Sequence, residues 1–225
     1  MAKTIGTTAK LTSAAPNPAR ILVRGPPGVE VDQICHALCV KTGLINISVS
    51  QLVKREVARK TSLGRQLGAS ACVDNIDALP TDAFVRLVSQ RLREKDCVTK
   101  GWVLVGVPAV AHAKAMEATP FRPSRCVELE VPKVRATERA EGWTVDTNTN
   151  TKYHTELYPA TPNIPSECLL PHPKADPVLC QQQIDDYYKS AESFENLYDK
   201  RLVSINADRG TADILDSLVH VLRTT

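Results

Sequence analysis

The stretch ILVRGPPGVEVDQICHAL, residues 21–38, decides the fold. It opens on a short apolar run, Ile21-Leu22-Val23, that reads as a buried strand. Gly25-Pro26-Pro27-Gly28 follows, and two prolines between glycines mark a turn. From Val31 to Val40 apolar residues return at helical spacing, with Ile34 and Leu38 on one face. Strand, glycine-bounded turn and helix together open a β-α-β unit.

The same alternation continues outward from this stretch. Ile45-Asn46-Ile47 reads as a second strand, and Ser48 to Lys60 as a helix that Ser48 or Ser50 is placed to cap. Thr61 to Asn75 reads as another helix. Thr81 or Asp82 then caps a helix running to Arg93, with Phe84, Val85, Leu87, Val88 and Leu92 as its apolar face. GWVLVGV at 101–107 is continuously apolar, as a central parallel strand is. A short helix over Ala111–Ala118 and a strand over Cys126–Val131 follow. Residues 135–165, rich in Thr, Asn and Pro, read as an inserted lid. The chain closes with a long helix at Gln181–Lys200, a strand at Leu202–Asn206 and an amphipathic helix at Thr211–Leu222. This order predicts a parallel sheet covered on both faces. Residues 1–19 form a polar, proline-containing arm, loose or draped on a partner, and residues 20–225 form one domain. With the register running from Met1, the expectation is an intact small protein rather than an excised domain.

Composition narrows the function classes. At 43% hydrophobic and 24% charged residues, the chain is neither disordered nor a disulfide scaffold. A net charge of +3 and only 4% aromatics argue against a nucleic-acid partner. No apolar run reaches the ~18–20 residues of a membrane span, and the first twenty residues lack a signal peptide's apolar centre. A cytoplasmic, membrane-free protein is expected. The seven cysteines (35, 39, 72, 97, 126, 168, 180) then read as free thiols in a reducing compartment. Cys35 and Cys39 read as a core-facing pair rather than metal ligands, the histidines have no ligand-type spacing, and no metal site is expected. Asp185-Asp186 with Glu192 and Glu195 reads as a solvated helix face. Lys54-Arg55 with Arg59-Lys60 makes a small basic stripe, either solvated or in contact with a phosphate or an acidic protein.

The order of segments over residues 20–225 resembles the adenylate kinases and the wider nucleoside monophosphate kinases. ILVRGPPGVEVDQICHAL is similar to their strand, P-loop and first helix, and GLINISVSQLVKREV to the start of their monophosphate-binding helix. SLGRQLGA and DALPTDAFVRLVSQRL match in order. KGWVLVGVPAVAHAKAME resembles the strand carrying their Asp-Gly-Phe-Pro-Arg motif. RATERAEGWTVDTNTNTKYH resembles their lid down to Tyr153-His154, and LVSINADRGTADILDSL their closing strand and helix. The resemblance implies a P-loop NTPase-type parallel five-stranded sheet with helices on both faces and an inserted lid.

It also implies a chemistry, transfer of the ATP γ-phosphoryl group to AMP, that the site residues do not match. Gly25, Pro26, Pro27 and Gly28 keep the loop. The family's next Gly, its Lys, and the Gly and Thr after it are Glu30, Val31, Asp32 and Gln33. Two carboxylates thus stand where phosphates would lie, and they are expected to cap the helix instead. The Arg that grips AMP is Lys54, a point charge in place of a fork. The Mg²⁺-side Asp is Val105, the phosphate Arg of the same motif is Ala109, and the adenine-reading Gln is Ala113. Arg135 and Arg139 match the first two lid arginines and keep the means to hold a nucleotide. The two later arginines fall near His172 and Gln181, and the segment 159–183 has no Arg at all. The degenerate cofactor-binding set is therefore Gly25, Pro26, Pro27, Gly28, Lys54, Arg135 and Arg139, with no catalytic residue and no cofactor expected beyond a doubtful ATP or AMP.

Three readings follow. The first is a pseudoenzyme acting as a structural or interaction protein. Divergent adenylate-kinase-like domains of ciliary and flagellar axonemes are similar in their site losses, which implies tubulin or another axonemal protein as partner. The second is a nucleotide-binding regulator, and the third a weakly active nucleoside monophosphate kinase.

Overall fold

A computed structural model describes residues 18–69 and 76–223. Five parallel strands form the central sheet: β1 (Arg20–Arg24), β2 (Ile45–Ser48), β3 (Trp102–Val105), β4 (Arg125–Glu130) and, later in the chain, β8 (Leu202–Asn206). Their spatial order is β2-β3-β1-β4-β8. β1 lies at the centre, which is why its residues 21–23 are apolar on both faces.

Strand alternation splits the core in two. Ile21, Val23, Val103, Val105, Val127 and Leu129 face helices α1 (Val31–Thr42) and α9 (Thr211–Arg223). Trp102 and Leu104 point the other way. They pack with Leu52 and Val53 of α2 (Val49–Ala58), Leu63 and Leu67 of α3 (Ser62–Ala69) and Phe84 and Leu87 of α4 (Thr81–Leu92). On that same side Leu22 and Cys126 pack with Ala113 of α6 (Val110–Glu117) and with Phe194 and Tyr198 of α8 (Pro177–Tyr198).

Between β4 and α8 the chain leaves the sheet. Helix α7 (Lys133–Glu141) leads into a three-stranded antiparallel sheet of order β6-β5-β7, with β5 at Trp143–Asp146, β6 at Lys152–His154 and β7 at Leu169–Pro171. The lid's hydrogen bonding thus runs past residue 165 to Pro171.

Several local expectations need correction. Helix α4 starts after Pro80, and neither Thr81 nor Asp82 caps it. Ser48 sits at the α2 N-cap, but its hydroxyl meets the Ser50 hydroxyl at 3.0 Å rather than a helix amide. A six-residue helix, α5 (Lys95–Lys100), was not anticipated. Asp96 starts it by accepting from the Cys97 amide at 2.8 Å while gripping Arg91. The expected helix over Thr61–Asn75 is α3 up to Ala69, and the rest of that span lies outside the described residues, as do Cys72 and residues 1–17 of the arm. Cys35 and Cys39 are both buried on α1, as their spacing predicted, and burial pushes the Cys39 thiol up to about 12. No helix among the described residues is long and apolar enough to cross a membrane.

Candidate functional site

The loop between β1 and α1 keeps its shape through its glycines. Gly28 has φ +88°, a left-handed conformation that glycine accommodates freely. A Cβ there would also lie 2.5 Å from the Ala136 carbonyl oxygen and 2.9 Å from the Arg139 Cβ. The loop therefore lies directly against lid helix α7. Of the four loop residues Gly25, Pro26, Pro27 and Gly28, it is Gly28 that lies against Arg139.

Two of the loop's amides are turned onto the loop itself. The Val29 amide donates to the Pro26 carbonyl at 3.1 Å, and the Val31 amide to the Val29 carbonyl at 2.7 Å. Glu30, at φ −73° and ψ 60°, closes the second of these as an inverse γ-turn. Its carboxylate does not cap α1, contrary to the sequence expectation. It accepts from the Gln33 side-chain amide at 3.0 Å, and Gln33 Oε1 in turn accepts from the Tyr158 hydroxyl of the lid at 2.6 Å. The positions that held Gly and Thr in the family thus tie the loop to the lid. Burial raises the Glu30 carboxyl above its ordinary value, with His154 opposing and Asp32 adding to the rise.

The lid arginines are engaged by the chain itself. Arg139 is buried, and its Nη2 donates to Asp208 Oδ1 at 2.8 Å and its Nη1 to the Ala207 carbonyl at 3.2 Å. Arg135 meets Glu138 at 2.6 Å, Glu156 at 2.8 Å and Asp208 at 3.6 Å, and these carboxylates raise its already high pKa. His154, 1% exposed, fixes the hairpin beneath them. Its Nδ1 accepts from the Glu156 and Leu157 amides at 3.0 and 2.9 Å, so Nε2 carries the proton and donates to the Arg139 carbonyl at 2.7 Å.

Lys54 is not brought into this group. It is exposed on α2, which packs against β2, α3 and α4. Val105, at the position of the Mg²⁺-side Asp, is fully buried in the apolar core, and Ala109 is an exposed residue preceding α6. Mg-ATP does not fit these residues: the metal-side position is a core hydrophobe, and the loop offers carboxylates where a lysine would hold phosphate.

A cleft of about 560 Å³ opens beside the loop, between Pro26, the ends of β4 and β8, and Tyr187, Tyr188 and Glu195 of α8. Its titratable lining is Glu128, Glu130, Glu195, Asp208 and the two phenols, which is the wrong sign for a polyphosphate. Under it lies a polar cluster that sequence reading missed. Arg24 Nε is 3.7 Å from Glu128 Oε1, and the guanidinium lies 4.2 Å from the Tyr187 ring centre and 3.9 Å from that of Phe194. The Tyr187 hydroxyl donates to Glu128 at 2.6 Å. Arg24 and Glu128 are register partners on β1 and β4. An arginine ending one apolar strand and a glutamate inside the next were the available signal.

A parallel sheet of order β2-β3-β1-β4-β8, a glycine-bounded loop after its central strand and a helix-plus-hairpin lid define a P-loop NTPase-type fold of the nucleotide-kinase kind. Comparison with known proteins gives the same family. No family model matches the chain. It is 28% identical over 207 residues to Adenylate kinase 8 of Danio rerio, covering 91% of this chain and 41% of that protein. It is 30% identical over 197 residues to Adenylate kinase 8 of Rattus norvegicus, covering 87% and 40%. Adenylate kinase, chloroplastic, of Zea mays is 26% identical over 196 residues, 87% of each chain. The chain spans about two fifths of the length of the Adenylate kinase 8 proteins it matches. Over most of its length the chain is similar to adenylate kinases, at the distance of a divergent relative.

Proposed function

We propose that this chain is a non-catalytic member of its family that acts by binding other proteins. The observation that carries this reading is the pairing of both lid arginines with the chain's own carboxylates, Asp208, Glu156 and Glu138. In phosphoryl transfer such arginines neutralise charge on the moving group, and an arginine of this kind contributes 10³–10⁵ in rate. Here their charge is already met. The loop lysine is Val31, the Mg²⁺-side carboxylate is Val105, and the Val29 and Val31 amides bond within the loop. Each loss supports the same reading, and jointly they leave little with which to stabilise a transition state.

The test is a calorimetric titration with Mg-ATP, AMP and a two-headed ATP–AMP analogue, followed by a coupled ATP plus AMP turnover assay. Neither heat nor turnover is expected. Heat without turnover would favour a nucleotide-binding regulator, and turnover above background would replace the proposal with an active kinase.

The resemblance to divergent axonemal members supports, as part of the proposal, work in a cilium or flagellum with tubulin or a neighbouring axonemal protein as partner. Co-sedimentation with microtubules and localisation of the tagged chain test that placement. Exclusion from the axoneme would remove it without restoring catalysis.

A further inference from the structure

The arm built from α2 and α3 carries a charge imbalance that no ion pair among the described residues answers. Residues 49–69 contain Lys54, Arg55, Arg59, Lys60 and Arg65 against the single carboxylate of Glu56, a net +4 where the whole chain has +3. Glu56 does not serve as their counter-ion. It is buried, and its carboxylate accepts from the Thr61 hydroxyl at 2.5 Å inside the turn between the two helices. The helices are held close there: a Cβ on Gly64 would overlap the Glu56 carbonyl oxygen at 2.1 Å. The five cations are all exposed, and among the described residues none of them forms an ion pair. The pattern costs stability, since like charges one helical turn apart, as at Arg55 and Arg59, repel.

Two of these cations border a small dip of about 20 Å³ between α2 and α4, whose lining also includes Gln90 and the carboxylate residues Glu56 and Glu94. The Arg91 guanidinium at its far side is already committed to Asp96 and Glu94. Arg55 and Arg59 stand one turn apart, about 6 Å along the helix. Alternate carboxylates of an extended peptide recur every ~6.6 Å, so Glu-x-Glu matches that spacing and each guanidinium can take one carboxylate in two parallel hydrogen bonds.

We infer that the α2–α3 arm docks an acidic, glutamate-rich segment of a partner protein, with Arg55 and Arg59 as its main contacts. A polynucleotide fits less well, because the arm has no aromatic side chain on which a base could stack. The inference deepens the proposed function and rests on its reading of the chain as a protein-binding member of the family.

The experiment is fluorescence anisotropy of a labelled twelve-residue polyglutamate peptide titrated with the full chain at low and moderate salt. Saturable binding is expected, weakening as salt rises. Arg55→Glu with Arg59→Glu should weaken it at least tenfold, and Lys189→Glu, an exposed charge reversal on α8, should leave it within twofold. Arg55→Gln with Arg59→Gln supplies a milder pair should the reversal unfold the arm, and should weaken binding at least threefold. No binding, binding indifferent to both arginine pairs, or tighter binding of an oligothymidylate of equal charge would overturn the inference. These outcomes are separate from the nucleotide assay: turnover there would remove the non-catalytic reading, whereas a silent peptide titration beside an inert nucleotide site would remove only the docking surface.

Discussion

Arg139 of the lid helix and Asp208 of the loop after β8 are joined at 2.8 Å, across a sequence separation of 69 residues. The pair anchors the lid to the sheet and occupies the charge that a bound nucleotide would need. Asp208→Asn should expose both roles. The buried guanidinium loses its counter-charge, which costs about 1–2 kcal/mol for a hydrogen bond to a charged group at a partly exposed site. Urea unfolding should show this as a lower midpoint at unchanged slope. Arg139 is released while Arg135 stays paired with Glu138 and Glu156, so ATP should acquire weak but measurable affinity by calorimetry. Unchanged stability and continued silence toward ATP would mean that the pair neither anchors the lid nor blocks the site.

Glu30 makes a pH-dependent prediction. Burial raises its folded-state pKa above the unfolded value of 4.5, so ionisation is harder in the fold than in the unfolded chain. Below pH 4.5 both states hold the proton and no penalty exists. As pH rises through the folded pKa, the penalty appears and persists. Glu30→Gln should therefore raise the thermal midpoint at pH 7, with the gain fading below pH 4. A gain that is constant across that range would assign the effect to packing rather than charge.

The fold was legible because its strands are apolar runs and the Gly25–Gly28 turn follows the central one. Some elements were not. Helix α5 is short and almost wholly polar, and it depends on the Arg91–Asp96 pair rather than on an apolar stripe. Strand β7 ends in Pro171, a residue that argues against a strand unless it lies at an edge, as this one does. At the site, the missing cations could be counted in the chain, since a valine at position 31 or 105 has no alternative reading. What those losses were replaced by could not. Asp208 for Arg139, Tyr158 for Gln33 and Glu128 for Arg24 are partners brought together only by tertiary folding, and no local pattern announces them. Side-chain caps at Thr81 and Asp82 were expected from residue preference alone, and Pro80 took the position instead.

Gly28 offers a direct test of how tightly the loop is shut. Gly28→Ala forces a side chain into a left-handed conformation at φ +88° and drives its Cβ to 2.5 Å from the Ala136 carbonyl. Strain of this kind costs about 1–3 kcal/mol before the clash is counted. For a chain of this size that is roughly 4–10 °C in thermal midpoint. Proteolysis should then begin in the lid, since α7 is the element displaced. An alanine variant as stable as the parent would mean that α7 stands away from the loop in solution.

Val31→Lys restores the one loop cation whose absence is most conspicuous, and it should not restore phosphoryl transfer. Val31 is half-buried and packs on the α1–α9 core, with its Cγ2 3.0 Å from where a Gly25 Cβ would lie. A lysine there must first leave that packing to reach the loop. Once there it meets the Glu30 carboxylate, with that of Asp32 two positions away, and an ammonium so placed is as well satisfied by them as by a phosphate. The rest of the machinery stays absent: Val105 carries no carboxylate for a metal, Ala109 no guanidinium, and Arg135 and Arg139 remain paired. Because each such group ordinarily contributes 10²–10⁵ in rate, one restored cation leaves the coupled ATP plus AMP assay at background. Adding Asp208→Asn and Glu30→Gly to Val31→Lys should yield nucleotide binding before any turnover, since it removes repulsion and frees Arg139 without supplying the metal side. Transfer above background by Val31→Lys alone would show that the lid pairs open readily and that the loop lysine was the one decisive loss.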